Sequence, residues 1–212
     1  MNEPALSPVA IPLGEVDPGP AHGEWEAVQR IVTGHDSSGK AVFVAEERVE
    51  AFKQALTPGA TSVRVWQGSS APAFPDDGSP TTDRLPFFPA VGGFGFYIFN
   101  TPPKWPAGGL TGPESRADLD DYEENRPGSL GHFDRANPGM HRSDTIDLGV
   151  VLAGEVVLEL DDGAERTLRA GDVFVQNGTT HRWTNRTSTT ASMAVFLTGA
   201  HRRPMTDGGG SR

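Results

Sequence analysis

Cysteine is absent from the 212 residues, which excludes disulfides, thiolate metal centres and a cysteine nucleophile. Lysine is nearly absent: Lys40, Lys53 and Lys104 are the only three, and the formal net charge is −10. Nucleic acids and anionic membrane surfaces recruit clustered Lys and Arg, so neither is expected as a partner. No apolar run approaches the roughly 20 residues of a membrane span. The first 20 residues lack the basic and apolar regions of a secretory signal, and the expectation is a soluble cytoplasmic protein. A phosphate loop, a dinucleotide fingerprint, a G-x-S-x-G elbow and an H-E-x-x-H helix are also missing, which sets aside the enzymes built on them.

What is present is glycine (26), proline (18) and a hydrophobic fraction of 36%. That balance favours many short strands joined by tight turns, hence an all-β fold. Residues 1–24 read as a flexible arm and 203–212 as a disordered tail, with one domain over 25–202 between them. Within it, 28–49 reads as a hairpin turning at 36–39, and 62–68 and 94–99 read as strands. A short helix is expected within 46–56. Residues 69–89 form a surface loop and 104–135 a long acidic loop, either solvated or lying over a site as a lid. From 145 onward six short strands follow in about 55 residues, with Asp162-Gly163 as a hairpin turn. This half, 136–202, is the expected barrel core, and 25–103 an N-terminal β-extension packed on it as a further layer.

His141, Ser143, Thr145 and Asp147 share one parity, so a continuous strand points all four to one face, with Ile146, Leu148 and Val150 on the other. Polar residues repeated on one face suggest a lined cavity. His181, Trp183 and Asn185 share a face in the same way.

Residues 138–185 resemble the two-motif signature of the cupin superfamily. Gly139, His141 and Gly154 match the first motif, with Ser143 in place of its second His and Asp147 in place of its Glu. Gly171, Gly178, His181 and Asn185 match the second, with Gln176 in place of Pro. The resemblance is to single-domain cupins with a degenerate metal motif, and it implies a cupin-type β-barrel or jelly roll and a homodimer. In the wider family three His and one Glu bind a metal. By that resemblance His141, Asp147 and His181 would be the ligands of a single divalent ion (Fe, Mn or Zn), a set also known from non-haem iron sites. No cofactor is fixed by the sequence itself.

Without a metal, His141 and His181 with Asp147 suit acid–base chemistry on a small-molecule substrate, since imidazole ordinarily titrates near pH 6.5. Ser143, Thr145, Trp183, Tyr97, Gln176 and Asn185 are the candidate substrate-binding residues. Three readings stay open: an acid–base lyase, dehydratase or isomerase of a small carbonyl compound in secondary metabolism; a metal-dependent oxygenase or lyase; and a non-catalytic binder. His132 is a candidate for the missing ligand. Arg142 and Arg182 have the opposite parity and are expected to face solvent.

Overall fold

The computed structural model describes residues 24–53, 56–81, 83–105 and 115–204. Apart from Glu24, Arg203 and Pro204, the expected arm and tail lie outside the described residues. Eleven strands are described: β1 (Ala27–His35), β2 (Ala41–Glu50), β3 (Phe52–Lys53), β4 (Thr61–Gly68), β5 (Phe94–Thr101), β6 (Thr145–Ala153), β7 (Glu155–Leu160), β8 (Glu165–Arg169), β9 (Val173–Asn177), β10 (His181–Thr184) and β11 (Ala191–Gly199). Among the described residues one α-helix, α1 (Arg116–Asn125), and a 3₁₀ turn (Ser129–His132) follow β5, and a second 3₁₀ turn (Asp161–Gly163) joins β7 to β8.

Two sheets enclose the core. The larger runs β3-β4-β5-β11-β6-β9 and the smaller β10-β7-β8. Inward residues of both meet between them: Tyr97 from β5, Val151 from β6, Val156 from β7, Leu168 from β8, and Met193, Val195 and Leu197 from β11. This is the expected all-β cupin-type barrel. The remaining two strands, β1 and β2, form a hairpin that lays Val28 and Val49 on the outer face of the larger sheet, against Val63, Ile98 and Ala194.

Three expectations need correcting. β4 and β5 are not part of an added layer, because β5 pairs directly with β11 from Ala191↔Thr101 to Thr198↔Phe94 and completes the barrel sheet. Only the β1–β2 hairpin is an added layer. The helix expected within 46–56 is instead strand β2 continuing to Glu50, held by pairing to β1 from His35↔Ala41 to Ala27↔Glu50. Good helix formers at 46–48 yield there to the ladder, since β pairing is decided by context more than by propensity. The acidic stretch is more than a loop: Ser115 caps α1 by accepting from the Asp118 N–H, and the Asp118 side chain accepts from the Ser115 N–H in return. Such a box satisfies two otherwise orphaned donors. Its Tyr122 is fully buried.

β6 alternates as its sequence implies. Thr145, Asp147 and Val151 are buried, while Ile146, Leu148 and Leu152 are exposed. Gly149 occupies an inward position, and a Cβ there would lie 2.1 Å from the Phe174 ring. The missing side chain lets Phe174 cross from β9 over β6 and pack on Trp183, ring centroids 4.8 Å apart. Gly149→Ala should therefore lower stability by about 1–3 kcal/mol, the usual scale of overpacking, as measured by chemical denaturation. Adding Phe174→Leu should recover most of the loss; an unchanged midpoint in the single variant would contradict this packing.

Candidate functional site

The site begins with a backbone bridge. The His141 N–H donates to the His181 carbonyl and the His181 N–H to the His141 carbonyl, both at 3.0 Å. His141 precedes β6 of the larger sheet, and His181 opens β10 of the smaller one, so this bridge joins the two sheets at one end of the barrel. It brings the two imidazoles together, with ring centroids 4.3 Å apart and ring planes tilted by 50°. The convergence expected from the two motifs is what the structure shows.

Each ring is held by a backbone carbonyl two residues earlier. His141 Nδ1 lies 3.0 Å from the Gly139 oxygen, and His181 Nδ1 lies 3.0 Å from the Thr179 oxygen. A carbonyl only accepts, so each Nδ1 carries the proton and each neutral ring keeps a lone pair on Nε2. Gly178, in the left-handed region at φ +59°, makes the turn that brings the Thr179 carbonyl under the ring. Burial pushes the His141 pKa down to about 3, with the neighbouring His181 ring and Arg126 adding to the effect. Burial also lowers that of His181. The expectation of imidazoles titrating near neutrality is thus corrected: desolvation disfavours the charged form, and both rings are neutral acceptors at pH 7.

The carboxyl behaves in the opposite way. Asp147 is 7% exposed, and burial raises its pKa to about 6. Thr145 Oγ1 donates to Asp147 Oδ1 at 2.6 Å. Ser143 Oγ lies 2.7 Å from Thr145 Oγ1; with the Thr145 proton committed to an ionised Asp147, Ser143 must be the donor. Three same-face residues of one segment therefore form a directed hydroxyl chain ending on the carboxylate. Directly across the ladder from Asp147 is Gln176, whose amide donates to the Thr179 carbonyl at 3.2 Å.

His141, Asp147, Gln176, His181 and Trp183 line one cavity of about 110 Å³. A single water needs roughly 10–15 Å³, so a small organic molecule fits. The other candidate binding residues do not line it. Ser143 and Thr145 are buried behind Asp147 in the hydroxyl chain. Tyr97, 1% exposed, packs on Phe87 at 4.8 Å as part of the core. Asn185 is fully buried, donates to the Thr101 and Thr189 carbonyls and accepts from the Thr187 N–H, so it shapes a turn. His132 is not in the wall either: its ring packs on Phe88 at 4.7 Å and its Nδ1 bonds the Arg142 carbonyl. Arg142 is exposed, and Arg182 pairs with Glu159 by donating from Nε at 2.6 Å and from Nη2 at 2.7 Å.

Sequence reading missed Phe87, Phe88, Tyr122 and Arg126, all of which line the cavity. The two phenylalanines sit in an irregular loop that gives no periodic signal. Tyr122 and Arg126 are four apart in the acidic run, one helical turn, and that spacing was the available hint. Among the described residues no group of three His, Asp or Glu is placed to hold a metal ion. The donor set in the wall amounts to two imidazole Nε2 atoms, with Asp147 tied to Thr145 and the third family ligand replaced by Ser143. A resident metal therefore does not fit the expected His141, Asp147 and His181 triad.

The two titrations oppose each other. Asp147 has a folded pKa above its unfolded value, so its ionisation costs stability above about pH 6, and that cost is gone below about pH 4. His141 has a folded pKa below its unfolded value, so its contribution is complete above about pH 6.5 and is lost as the pH falls toward 3. At about 1.4 kcal/mol per pH unit, Asp147→Asn should be more stable than the parent by about 1–3 kcal/mol at pH 8, and the difference should vanish by pH 4. His141→Gln should lose less stability on acidification than the parent. Urea melts from pH 4 to 8 check both; parallel curves for all three proteins would contradict the assignment.

Residues 134–197 match the family model described as "Cupin domain". Among curated relatives, the "Phomopsin biosynthesis cluster protein C'" of Diaporthe leptostromiformis is 54% identical over 59 residues, 28% of this chain and 31% of that protein. The "Oryzines biosynthesis cluster protein J" of Aspergillus oryzae is 36% identical over 94 residues, 38% of this chain and 52% of that protein. A "Cupin-domain-containing oxidoreductase srdB" of Neurospora crassa is 28% identical over 166 residues, 74% of this chain and 65% of that protein. The chain thus spans about a third to a half of the first two. With the two motif histidines bridged at the mouth of a β-barrel and the matching segment running through both of them, residues 134–197 are a cupin-type domain.

Proposed function

We propose that the protein is a small-molecule enzyme of secondary metabolism, acting by acid–base chemistry as a lyase, dehydratase or isomerase of a small carbonyl compound. One observation carries the reading: a cavity of aromatic walls holds a carboxyl whose pKa is raised to about 6 beside two neutral imidazoles with free Nε2 atoms. A base poised near the working pH is the most effective proton carrier. The biosynthesis-cluster names of two relatives support the metabolic setting.

In this reading the Nε2 atoms of His141 and His181 accept hydrogen bonds from substrate hydroxyls and fix its orientation. The Asp147 carboxylate takes a proton from the carbon beside the substrate carbonyl, and the electron pair moves onto the carbonyl oxygen. The carboxyl then returns the proton, to a neighbouring carbon in an isomerisation or to a departing hydroxyl, released as water, in a dehydration. Thr145 keeps the carboxylate aimed, and Trp183 and Phe174 exclude water. The oxidoreductase name of the third relative offers a second reading, for which the described residues present no metal triad.

Deuterium incorporation tests the proposal. Enzyme incubated in D₂O with a panel of small aryl ketones and β-hydroxy ketones should wash deuterium into the position beside the carbonyl. The rate should rise through about pH 6 as Asp147 ionises, and Asp147→Asn should lower it by roughly 10²–10⁴-fold. An undiminished rate in that variant would remove the catalytic reading, and binding without exchange in the parent would leave a non-catalytic binder.

A further inference from the structure

His141 and His181 stand where the resemblance expects metal ligands, but the rest of that set is missing, with Asp147 tied to Thr145 and Ser143 in a histidine's place. Both rings are nonetheless held in fixed positions. The Gly139 and Thr179 carbonyls each lie 3.0 Å from an Nδ1, and the main-chain bridge sets one ring against the other. Both rings line the cavity, and His181 is only 3% exposed, yet neither Nε2 has a hydrogen-bond partner among the described residues. Gln176 adds a third acceptor to this part of the wall. Its amide nitrogen is engaged by the Thr179 carbonyl and hydroxyl, which leaves Oε1 unpartnered among the described residues. The Asn100 amide, also in the wall, is engaged by Trp25 and Thr61. Aromatic rings flank the pair: Phe133 at 5.0 Å and Phe88 at 6.2 Å from His141, and Trp183 at 6.2 Å from His181.

We infer that His141 and His181 form a two-acceptor subsite for a planar ligand with hydroxyls on two adjacent ring carbons, a 1,2-dihydroxyarene. The inference rests on the cavity being the ligand site of the proposed enzyme and names the class of molecule that enters it. A neutral ring with its proton on Nδ1 only accepts through Nε2, and a buried acceptor left without a donor carries a desolvation cost. A ligand that brings one hydroxyl to each ring removes that cost twice. Ring centroids 4.3 Å apart put both lone pairs within reach of hydroxyls on neighbouring carbons. Hydroxyls on opposite sides of a ring point apart and reach only one. Because the rings are already fixed, the second hydrogen bond needs little further ordering. Aromatic walls favour a flat ligand. At roughly 10–15 Å³ per water, the cavity of about 110 Å³ is comparable in size with the non-hydrogen atoms of a dihydroxybenzene. The plain structural alternative is that the two rings only fill the barrel end, which predicts no such preference.

Matched probes separate the two. Binding of catechol, of its isomer hydroquinone and of 2-fluorophenol, in which fluorine replaces one hydroxyl, is measured by anaerobic calorimetry with and without EDTA. The parent protein should bind catechol about tenfold or more tightly than either of the others, whether or not EDTA is present. His141→Phe and His181→Phe should each bring catechol to within about threefold of 2-fluorophenol. Ring ¹⁵N spectra of the parent serve if the variants do not fold: catechol should shift both Nε2 signals, and 2-fluorophenol chiefly one. Equal affinities for the three probes, a preference that survives both variants, or one that EDTA removes and that therefore belongs to a chelated metal, overturns the inference. Each of these outcomes leaves the acid–base reading to the deuterium exchange of the parent. Failure of every probe to bind also overturns the inference, and absence of exchange as well overturns both.

Discussion

The reciprocal hydrogen bonds between the main chains of His141 and His181 are the constraint on which the site depends. They are the point where the segment leading into β6 meets the first residue of β10, and they tie the large sheet to the small one. Because each bonded residue also lines the cavity, closing the barrel and shaping the cavity are a single event. The 4.3 Å separation of the rings follows from main-chain geometry, and the carbonyls of Gly139 and Thr179 then leave each ring one tautomer.

Burial decides the electrostatics that follow. The same desolvation that drives two imidazoles to the neutral form lifts the Asp147 carboxyl toward neutrality, because in each case the charged state is the one that loses water. The outcome reverses the roles these residue types ordinarily take: the carboxyl titrates near physiological pH, and the histidines serve as fixed acceptors. Among the described residues the fixed positive charge in the cavity wall comes instead from Arg126, just past the end of α1 and outside both motifs.

Much of this was legible in the residues. The shared parity of His141, Ser143, Thr145 and Asp147 foretold a polar inner face, and the observed burial of Thr145 and Asp147 against the exposure of Ile146 and Leu148 follows it. What parity cannot say is which inward residue reaches open space. Tyr97 faces inward yet packs into the core, and Asn185 leaves the strand to bond its own turn, so neither lines the cavity. Ser143 and Thr145 point the right way but serve Asp147. The cavity wall drawn from Phe87, Phe88 and Arg126 comes from loop and helix ends whose place depends on tertiary packing, and no local pattern announces it. Charge states were equally hidden, since sequence gives ordinary pKa values and only depth of burial moves them.

The central claim is that both imidazoles stand in the cavity as neutral rings protonated on Nδ1. Long-range ¹H–¹⁵N spectra of the histidine rings, recorded from pH 8 down to pH 4, report tautomer and charge directly. Protonated Nδ1 and unprotonated Nε2 signals for His141 that hold their positions across this range are the predicted result. A His141 ring that titrates near pH 6.5, or that carries its proton on Nε2, would contradict it.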